Sequence, residues 1–520
     1  MAIKRYWAKS DNTITNAYEE NLTTRGTGSN MGASDILEVF SIYGQANSSS
    51  AEKSRALIKF NVTASTNSIQ SDRTSGTIPA SGSVSFYLRL FSAPHGQTLP
   101  KNFTMDVTAV TGSWTEGTGL DMETYKDKQT SNWDNRLTSS AGITPWKVAG
   151  GDYYSDSSGS FSASFDDGTE DIELDITTLV EQWVSSSANS KTPTNMGLKN
   201  DEGVIVRMST AYESAARSYY TKKFFGRGTE FFFKRPCIEA RWNSTKKDDR
   251  GNFYYSSSLA TAAENLNTLY FYNYFRGQLR NIPGVGTGNI YVSFFSGTAA
   301  DTAPSTTAVH LVADATHVRS AINTVVTGGY VSTGIYSASV ALTAAATPLT
   351  TVYDVWFSGG FGSNMTVPGT VQYHTGTIKP ESLYGSSVAP ANEHVSSITN
   401  LRTIYRGNET ARFRVYTRQK DWSPTIYTKA TAKAEVNIVE SGSYEIYRVV
   451  DDLKVVPYGT GSLLHTQMSI DASGSYFDLD MGMLEPGYMY GIKLAYYNNS
   501  VNDWVEQPET FKFRVESRQS

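Results

Sequence analysis

Apolar residues in this chain recur at every second position in short runs, and this period constrains the fold more than any other feature. Val84, Phe86, Leu88 and Leu90 alternate with Ser85, Tyr87 and Arg89, which places the apolar set on one face of a β-strand. The pattern returns in Ala411-Arg412-Phe413-Arg414-Val415-Tyr416 and Phe511-Lys512-Phe513-Arg514-Val515. Charged residues at the intervening positions predict antiparallel sheets with one face in water. Helical spacing occurs in two short places. Leu179, Val180 and Trp183 share a side behind Thr178 and Glu181, which have capping-box spacing, and Val318, Ala321, Ile322 and Val325 share another. No repeat of 20 to 50 residues is present, so the expectation is an all-β chain of tandem antiparallel β-sandwich domains.

With 520 residues, and roughly 100 to 200 residues per domain, about three units are expected. Charge divides the chain in the same way. Residues 1–243 have 24 Lys plus Arg against 27 Asp plus Glu, residues 244–380 have 7 against 6, and residues 381–520 have 14 against 17. The first boundary falls where Ile238-Glu239-Ala240-Arg241-Trp242 gives way to the polar Asn243-Ser244-Thr245-Lys246-Lys247-Asp248-Asp249-Arg250-Gly251, which reads as a linker. The second lies in a Pro-, Ser- and Gly-rich stretch near residue 380. The predicted domains are therefore 1–243, 244–380 and 381–520, the last two reading as smaller immunoglobulin-like sandwiches.

A net charge of −5 and a pI near 5.8 give no polyanion-binding signature, since affinity for nucleic acid comes from an excess of Lys and Arg. No direct nucleic-acid contact is expected. No apolar run approaches the ~20 residues of a membrane helix, so no membrane insertion is expected. The start, Met1-Ala2-Ile3-Lys4-Arg5-Tyr6-Trp7, is basic but lacks the apolar stretch of a signal peptide. Cys237, the one cysteine, cannot form an internal disulfide. A surface-protein composition, 12% aromatic and only 18% charged, thus sits in a chain that reads as made in a cytoplasm. A virion protein of a phage, made in the host without a signal peptide and released by lysis, reconciles the two.

Catalytic motifs are not found: no His-Glu-x-x-His helix, Gly-x-Ser-x-Gly elbow, Walker loop or Cys-x-x-Cys. Gly284-Val285-Gly286-Thr287-Gly288 leads into the strand-like Asn289-Ile290-Tyr291-Val292, not into a helix that would hold a phosphate, and reads as a hairpin loop. His310 and His317 lack a third ligand at metal spacing. Asp166, Asp167 and Asp171 form the best acidic cluster, a weak candidate for a structural Ca²⁺, and Asp248-Asp249 is a poorer one; solvated turns are the simpler reading of both. Glu116 and Glu123, near Trp114, are the pair a glycosidase would need, although sequence does not set them across a cleft. No catalytic residue, no cofactor and no enzymatic activity are expected.

In the first block a series of segments occurs in order: Asp11-Asn12-Thr13-Ile14-Thr15-Asn16-Ala17, Asn30-Met31-Gly32, Ser54-Arg55-Ala56-Leu57-Ile58-Lys59-Phe60, Val84-Ser85-Phe86-Tyr87-Leu88-Arg89-Leu90, Val110-Thr111-Gly112-Ser113-Trp114-Thr115-Glu116-Gly117, Leu174-Asp175-Ile176-Thr177-Thr178-Leu179-Val180-Glu181-Gln182-Trp183, Asn195-Met196-Gly197-Leu198-Lys199 and Pro236-Cys237-Ile238-Glu239-Ala240-Arg241-Trp242. Their order resembles the DNRLRE-type domain, a jelly-roll module similar to carbohydrate-binding modules and found on microbial surface proteins and phage particles. The run from Lys223 to Pro236 looks like versions of that module in phage structural proteins. The resemblance covers less than half the chain. It implies an N-terminal jelly roll without catalytic residues and, as an alternative function, host adsorption through bacterial surface glycan. Trp114 and Trp183 read first as plugs of the sandwich core, although an exposed tryptophan would suit the face of a sugar ring. The polar run from Tyr153 to Ser160 reads as an exposed insertion.

The second block carries the sharpest anomaly. Between residues 320 and 378 the only formally charged residue is Asp354, in a stretch that reads as several strands. Monomers cover their surfaces with Lys and Glu, whereas interface cores are depleted in them. The expected function is that of a non-enzymatic virion protein of the neck or collar, the head surface or a tail attachment. It would act through contacts with copies of itself and other virion proteins, as a homo-oligomer. Arg402, Arg406, Arg412, Arg414 and Arg418 in the third block read as alternating wet-face charge.

Overall fold

The computed structural model describes residues 2–43, 50–64, 66–96, 99–188, 199–297, 303–312, 323–344, 349–359, 370–381, 393–423, 425–426 and 436–517. Strands in antiparallel sheets dominate, and the fold is all-β. Two compact units divide the chain, Ala2–Asn243 and Ser244–Ser520.

The N-terminal unit is organised by its first strand, Ile3–Thr15. Ile3 to Trp7 pair with Arg241 to Cys237, whereas Ala8 to Thr15 pair with Phe60 to Ser54, and the register shifts between Ala8 and Ser10. A bulge of this kind bends a strand, so that one strand serves two sheets. Cys237–Arg241, Ser85–Leu90 and Ile172–Asp175 continue one side. Ala51–Phe60, Val204–Met208, Phe103–Ala109 and Ser160–Phe165 continue the other, with Ile36–Tyr43 and Tyr219–Phe225 branching from it. In Ser85–Leu90 the alternation holds residue by residue, with Phe86, Leu88 and Leu90 buried.

The first predicted helix is present as Thr177–Ala188, with Leu179, Val180 and Trp183 buried. Its start differs from the expected capping box. Asp175 Oδ1 accepts the Thr177 N–H at 2.9 Å, while Glu181 turns to Arg73 in a two-bond pair at 2.6 Å. The second predicted helix lies outside the described residues except at its end, where Val325 opens the strand Val325–Ser332.

In the unit Ser244–Ser520, one six-stranded antiparallel sheet runs in the order Asn267–Tyr272, Ile335–Val340, Val325–Ser332, Ile290–Gly297, Thr351–Ser358, Val371–Ile378. Every strand feeds one core that includes Leu269, Val340, Val326, Val292, Trp356 and Ile378. The sheet curls on itself, bringing Phe271 of one edge strand onto His374 of the other with rings 5.5 Å apart. A second pair of sheets follows. Four strands (His394–Ile398, Thr410–Gln419, Gly474–Asp480, Ser469–Asp471) face five (Ile404–Arg406, Asp503–Glu516, Met489–Asn498, Gly442–Arg448, Leu453–Val456). Their core is aromatic, with Phe413 and Phe477 opposite in register and stacked at 5.1 Å, and Tyr444 on Phe477 at 4.0 Å.

The stretch expected to be a linker is not one. Lys247 bridges Ile470 in parallel, with Ile470 N–H donating to Lys246 O at 3.0 Å and Asp248 N–H to Ile470 O at 3.1 Å. Thr268 N–H donates to Asp249 Oδ2 at 2.6 Å, and Asn252 Nδ2 to Glu440 Oε1 at 2.7 Å. Polar composition marked it as solvated chain, but its polar groups are spent on neighbouring strands of its own unit.

Candidate functional site: an uncharged sheet with a buried ion pair

Asp354 is the single charge between residues 320 and 378, and it is 0% exposed. Along Thr351–Ser358 it shares a face with Val352 and Trp356, both members of the sheet's core. Burying a lone carboxylate there would be prohibitive, and three donors prevent it. Arg250 Nη1 and Nη2 reach its two oxygens at 2.5 and 2.8 Å, and Trp356 Nε1 donates to Oδ2 at 2.7 Å. Gly376 is the cross-strand partner of Asp354. A Cβ at Gly376 would overlap both the Arg250 guanidinium and the Asp354 carboxylate, so glycine opens the space through which the arginine enters.

With that one charge neutralised inside, the described part of residues 320–378 presents no formal charge. Its edge strand, Val371–Ile378, exposes Val371, Gln372, His374 and Thr375 and contains no Lys, Arg, Asp, Glu or Pro. Edge strands are ordinarily blunted by such residues; this one has only a register shift opposite Trp356 and Phe357. Val331 and Tyr330 are further exposed apolar groups of the same sheet.

The acidic cluster of the N-terminal unit is a tied turn. Glu170 Oε1 accepts the N–H groups of Asp166 and Asp167 at 2.8 and 2.6 Å, Asp171 Oδ1 accepts Ser92 N–H at 2.7 Å, and Asp167 pairs with Lys101. The carbonyls of Gly168 and Glu170, the other oxygens a cation would use, receive the Lys222 ammonium at 2.8 Å each. Lys222 is fully buried, also bonds Ser92 Oγ, and lies over the rings of Phe165 and Phe224. Burial pulls its pKa down to about 8. The cation of this loop is a lysine that no local sequence signal marks, because Lys222 and the loop are some fifty residues apart.

Glu116 and Glu123 each have their own partner. Arg227 grips Glu116 with two bonds of 2.6 Å, and Asp11 N–H donates to Glu116 Oε1 at 2.7 Å; Glu123 accepts the Glu20 N–H at 2.6 Å. Beside Glu116, burial pushes the Asp11 carboxyl up to about 7 although Arg227 N–H donates to it. Trp114, Trp133, Trp146, Trp183 and Trp242 are all buried, which is the core role expected of Trp114 and Trp183. The Tyr153–Ser160 run is pinned by Lys199, which pairs with Asp156 at 2.8 Å and lies over the Tyr154 ring.

Gly284 to Gly288 form turns before Ile290–Gly297, but the expected hairpin is not there: the preceding strand Gln278–Leu279 pairs with Tyr274–Phe275, and Ile290–Gly297 with Val325–Ser332 and Thr351–Ser358. His310 Nδ1 meets Asn323 Oδ1 at 2.8 Å, and His317 lies outside the described residues. Asp248 and Asp249 are pushed up by burial to about 6 each. In the third block Arg412 pairs with Asp478, Arg414 with Asp471 and Arg402 with Glu409, the wet-face arrangement expected from alternation.

One feature had no sequence signal. A cleft of about 660 Å³ in the unit Ser244–Ser520 gathers Tyr254, His394, Arg418, Trp422, Glu440 and Tyr497 from well-separated segments.

No protein-family model and no curated protein matches the chain. Among solved structures it is similar to a marsupial T cell receptor, at 10% identity over 53% of this chain and 72% of that one, with a TM-score of 0.16. It is also similar to E. coli alpha-2-macroglobulin in its native conformation, at 9% identity over 83% of this chain and 20% of that one, with a TM-score of 0.15. Likenesses at this level carry no argument.

Proposed function

We propose that the chain is a non-enzymatic structural protein of a phage virion, acting through contacts with copies of itself and with other virion proteins. In this reading the N-terminal unit is a jelly roll, and the curled middle sheet is the assembly surface. One observation carries it: the only formal charge in residues 320–378 is buried against Arg250 and Trp356, which leaves an uncharged edge strand exposed. Interfaces, not free surfaces, are depleted in charge in this way. The rival role, glycan adsorption through the N-terminal jelly roll, has less support, because the tryptophans that would stack on sugar are mostly buried there.

Electron microscopy of particles from an infected host, with an antibody to this chain as label, tests the reading. Regularly spaced label on the particle is the expected outcome; particles without label, and chain recovered only free in the lysate, would contradict it.

A further inference from the structure

The cleft in the unit Ser244–Ser520 is a second surface, separate in its chemistry from the uncharged sheet. Its volume of about 660 Å³ lies within the roughly 300–1,000 Å³ of small-ligand sites. The walls come from elements already fixed by backbone bonds. Asn437 N–H donates to Thr417 O, Tyr497 N–H to Ser441 O, and Tyr255 N–H, next to the cleft residue Tyr254, to Glu381 O. Polar groups are therefore held in place before any ligand arrives.

Three features of the lining select a ligand class. Aromatic side chains, Trp422, Tyr254 and Tyr497, offer flat apolar surface next to Val436 and Ile438. Carboxamides and carboxylates, among them Asn437, Asn499, Glu381 and Glu440, offer paired donors and acceptors. Among the described residues the one formal cation is Arg418, whose Nη1 donates to the carbonyls of Gln419 and Lys420, against two carboxylates, Glu381 and Glu440, a balance that favours an uncharged ligand over an anionic one. His394 also lines the cleft, and its Nδ1 is buried without a hydrogen-bond partner among the described residues, while its ring lies edge-on to Tyr496 at 5.5 Å. An imidazole nitrogen left in this state needs a hydroxyl or a water to satisfy it.

We infer that this cleft binds an uncharged, hydroxyl-rich saccharide, with a ring face against Trp422 and its hydroxyls on the carboxamides and on Glu440. The inference does not depend on the assembly reading, since it uses none of residues 320–378. It places glycan recognition in the second unit rather than in the N-terminal one.

The test uses the full chain on a printed array of bacterial cell-surface oligosaccharides, followed by calorimetric titration with the best neutral glycan. Millimolar or tighter binding is expected, with at least a tenfold loss in Trp422→Ala and a smaller loss in Asn499→Ala. Asn499 is exposed, so that variant guards against a loss that merely reports unfolding, and circular dichroism melts of both confirm the fold. Absence of binding to every glycan on the array would overturn the inference. So would binding that both variants retain in full, or selection of only acidic glycans or of peptides by the same cleft.

Discussion

Arg250 and Asp354 are 104 residues apart in sequence and meet in a two-bond ion pair at 2.5 and 2.8 Å, at the wall of the middle core. The arginine belongs to the stretch whose composition resembled a linker. Removing one partner leaves the other charge buried, which typically costs 3–5 kcal/mol. Arg250→Met and Asp354→Asn are each expected to lower the stability of the Ser244–Ser520 unit by about that much. In a double-mutant cycle the pair should cost less than the sum of the single changes. Chemical denaturation monitored by Trp fluorescence measures it; strict additivity would refute the coupling.

Gly376→Ala sets a separate test of the same geometry. Its Cβ would overlap the guanidinium and the carboxylate, forcing the ion pair apart or the strands to shift. A loss of roughly 1–3 kcal/mol is expected, in line with overpacking elsewhere. In the Arg250→Met background, where the guanidinium is gone, the same substitution should cost clearly less. An equal loss in both backgrounds would place the strain elsewhere.

Lys222 acts as the internal cation of the Asp166–Asp171 turn. Lys222→Met preserves much of the volume but strands the carbonyls of Gly168 and Glu170. Unsatisfied buried acceptors cost about 1–3 kcal/mol each. Thermal melts should show a lower transition for the N-terminal unit that added Ca²⁺ does not restore. Restoration by micromolar Ca²⁺ would mean that the loop is a metal site after all.

Asp11 gives a pH dependence with a definite sign. Its folded pKa of about 7 lies above the ordinary 3.8, so between those values the folded state binds more protons and stability falls as pH rises. Asp11→Asn removes that titration. Relative to the parent, the variant is expected to gain about 1–3 kcal/mol on going from pH 4 to pH 7.5. Glu239, held down to about 2 from its ordinary 4.5 by its arginines against the opposing effect of burial, adds stability as pH rises through the lower end of this window, but equally in parent and variant, so it cancels from their difference. A stability difference between variant and parent that is flat with pH would contradict the assignment.

What the sequence made legible was local. Alternation in Ser85–Leu90 and Thr410–Gln419 set strand faces, because side-chain direction has a period of two whatever the neighbours are. The helix carrying Trp183 was legible from its own helical spacing, and the boundary at residue 243 from a change of composition, although the polar stretch that marked it is not a linker. The charge deficit around Asp354 was visible as an anomaly, but not its resolution, since Arg250 lies far upstream in a stretch that composition alone calls solvated. Lys222 and the cleft were invisible in kind: each depends on groups from distant strands, and no spacing rule connects Trp422 with Tyr254 or His394. The capping-box reading of Glu181 failed because Arg73, over a hundred residues away, competes for the same carboxylate.

The central claim is that the uncharged sheet joins one copy of the chain to another, and sedimentation velocity of the full chain tests it most directly. At tens of micromolar the parent should sediment as an oligomer whose population grows with concentration. Val371→Lys with Thr375→Lys, which charges the exposed edge strand without touching the core, should return it to monomer with an unchanged melting profile. A parent that is monomeric at every concentration, or an oligomer that the double variant leaves intact, would contradict the account.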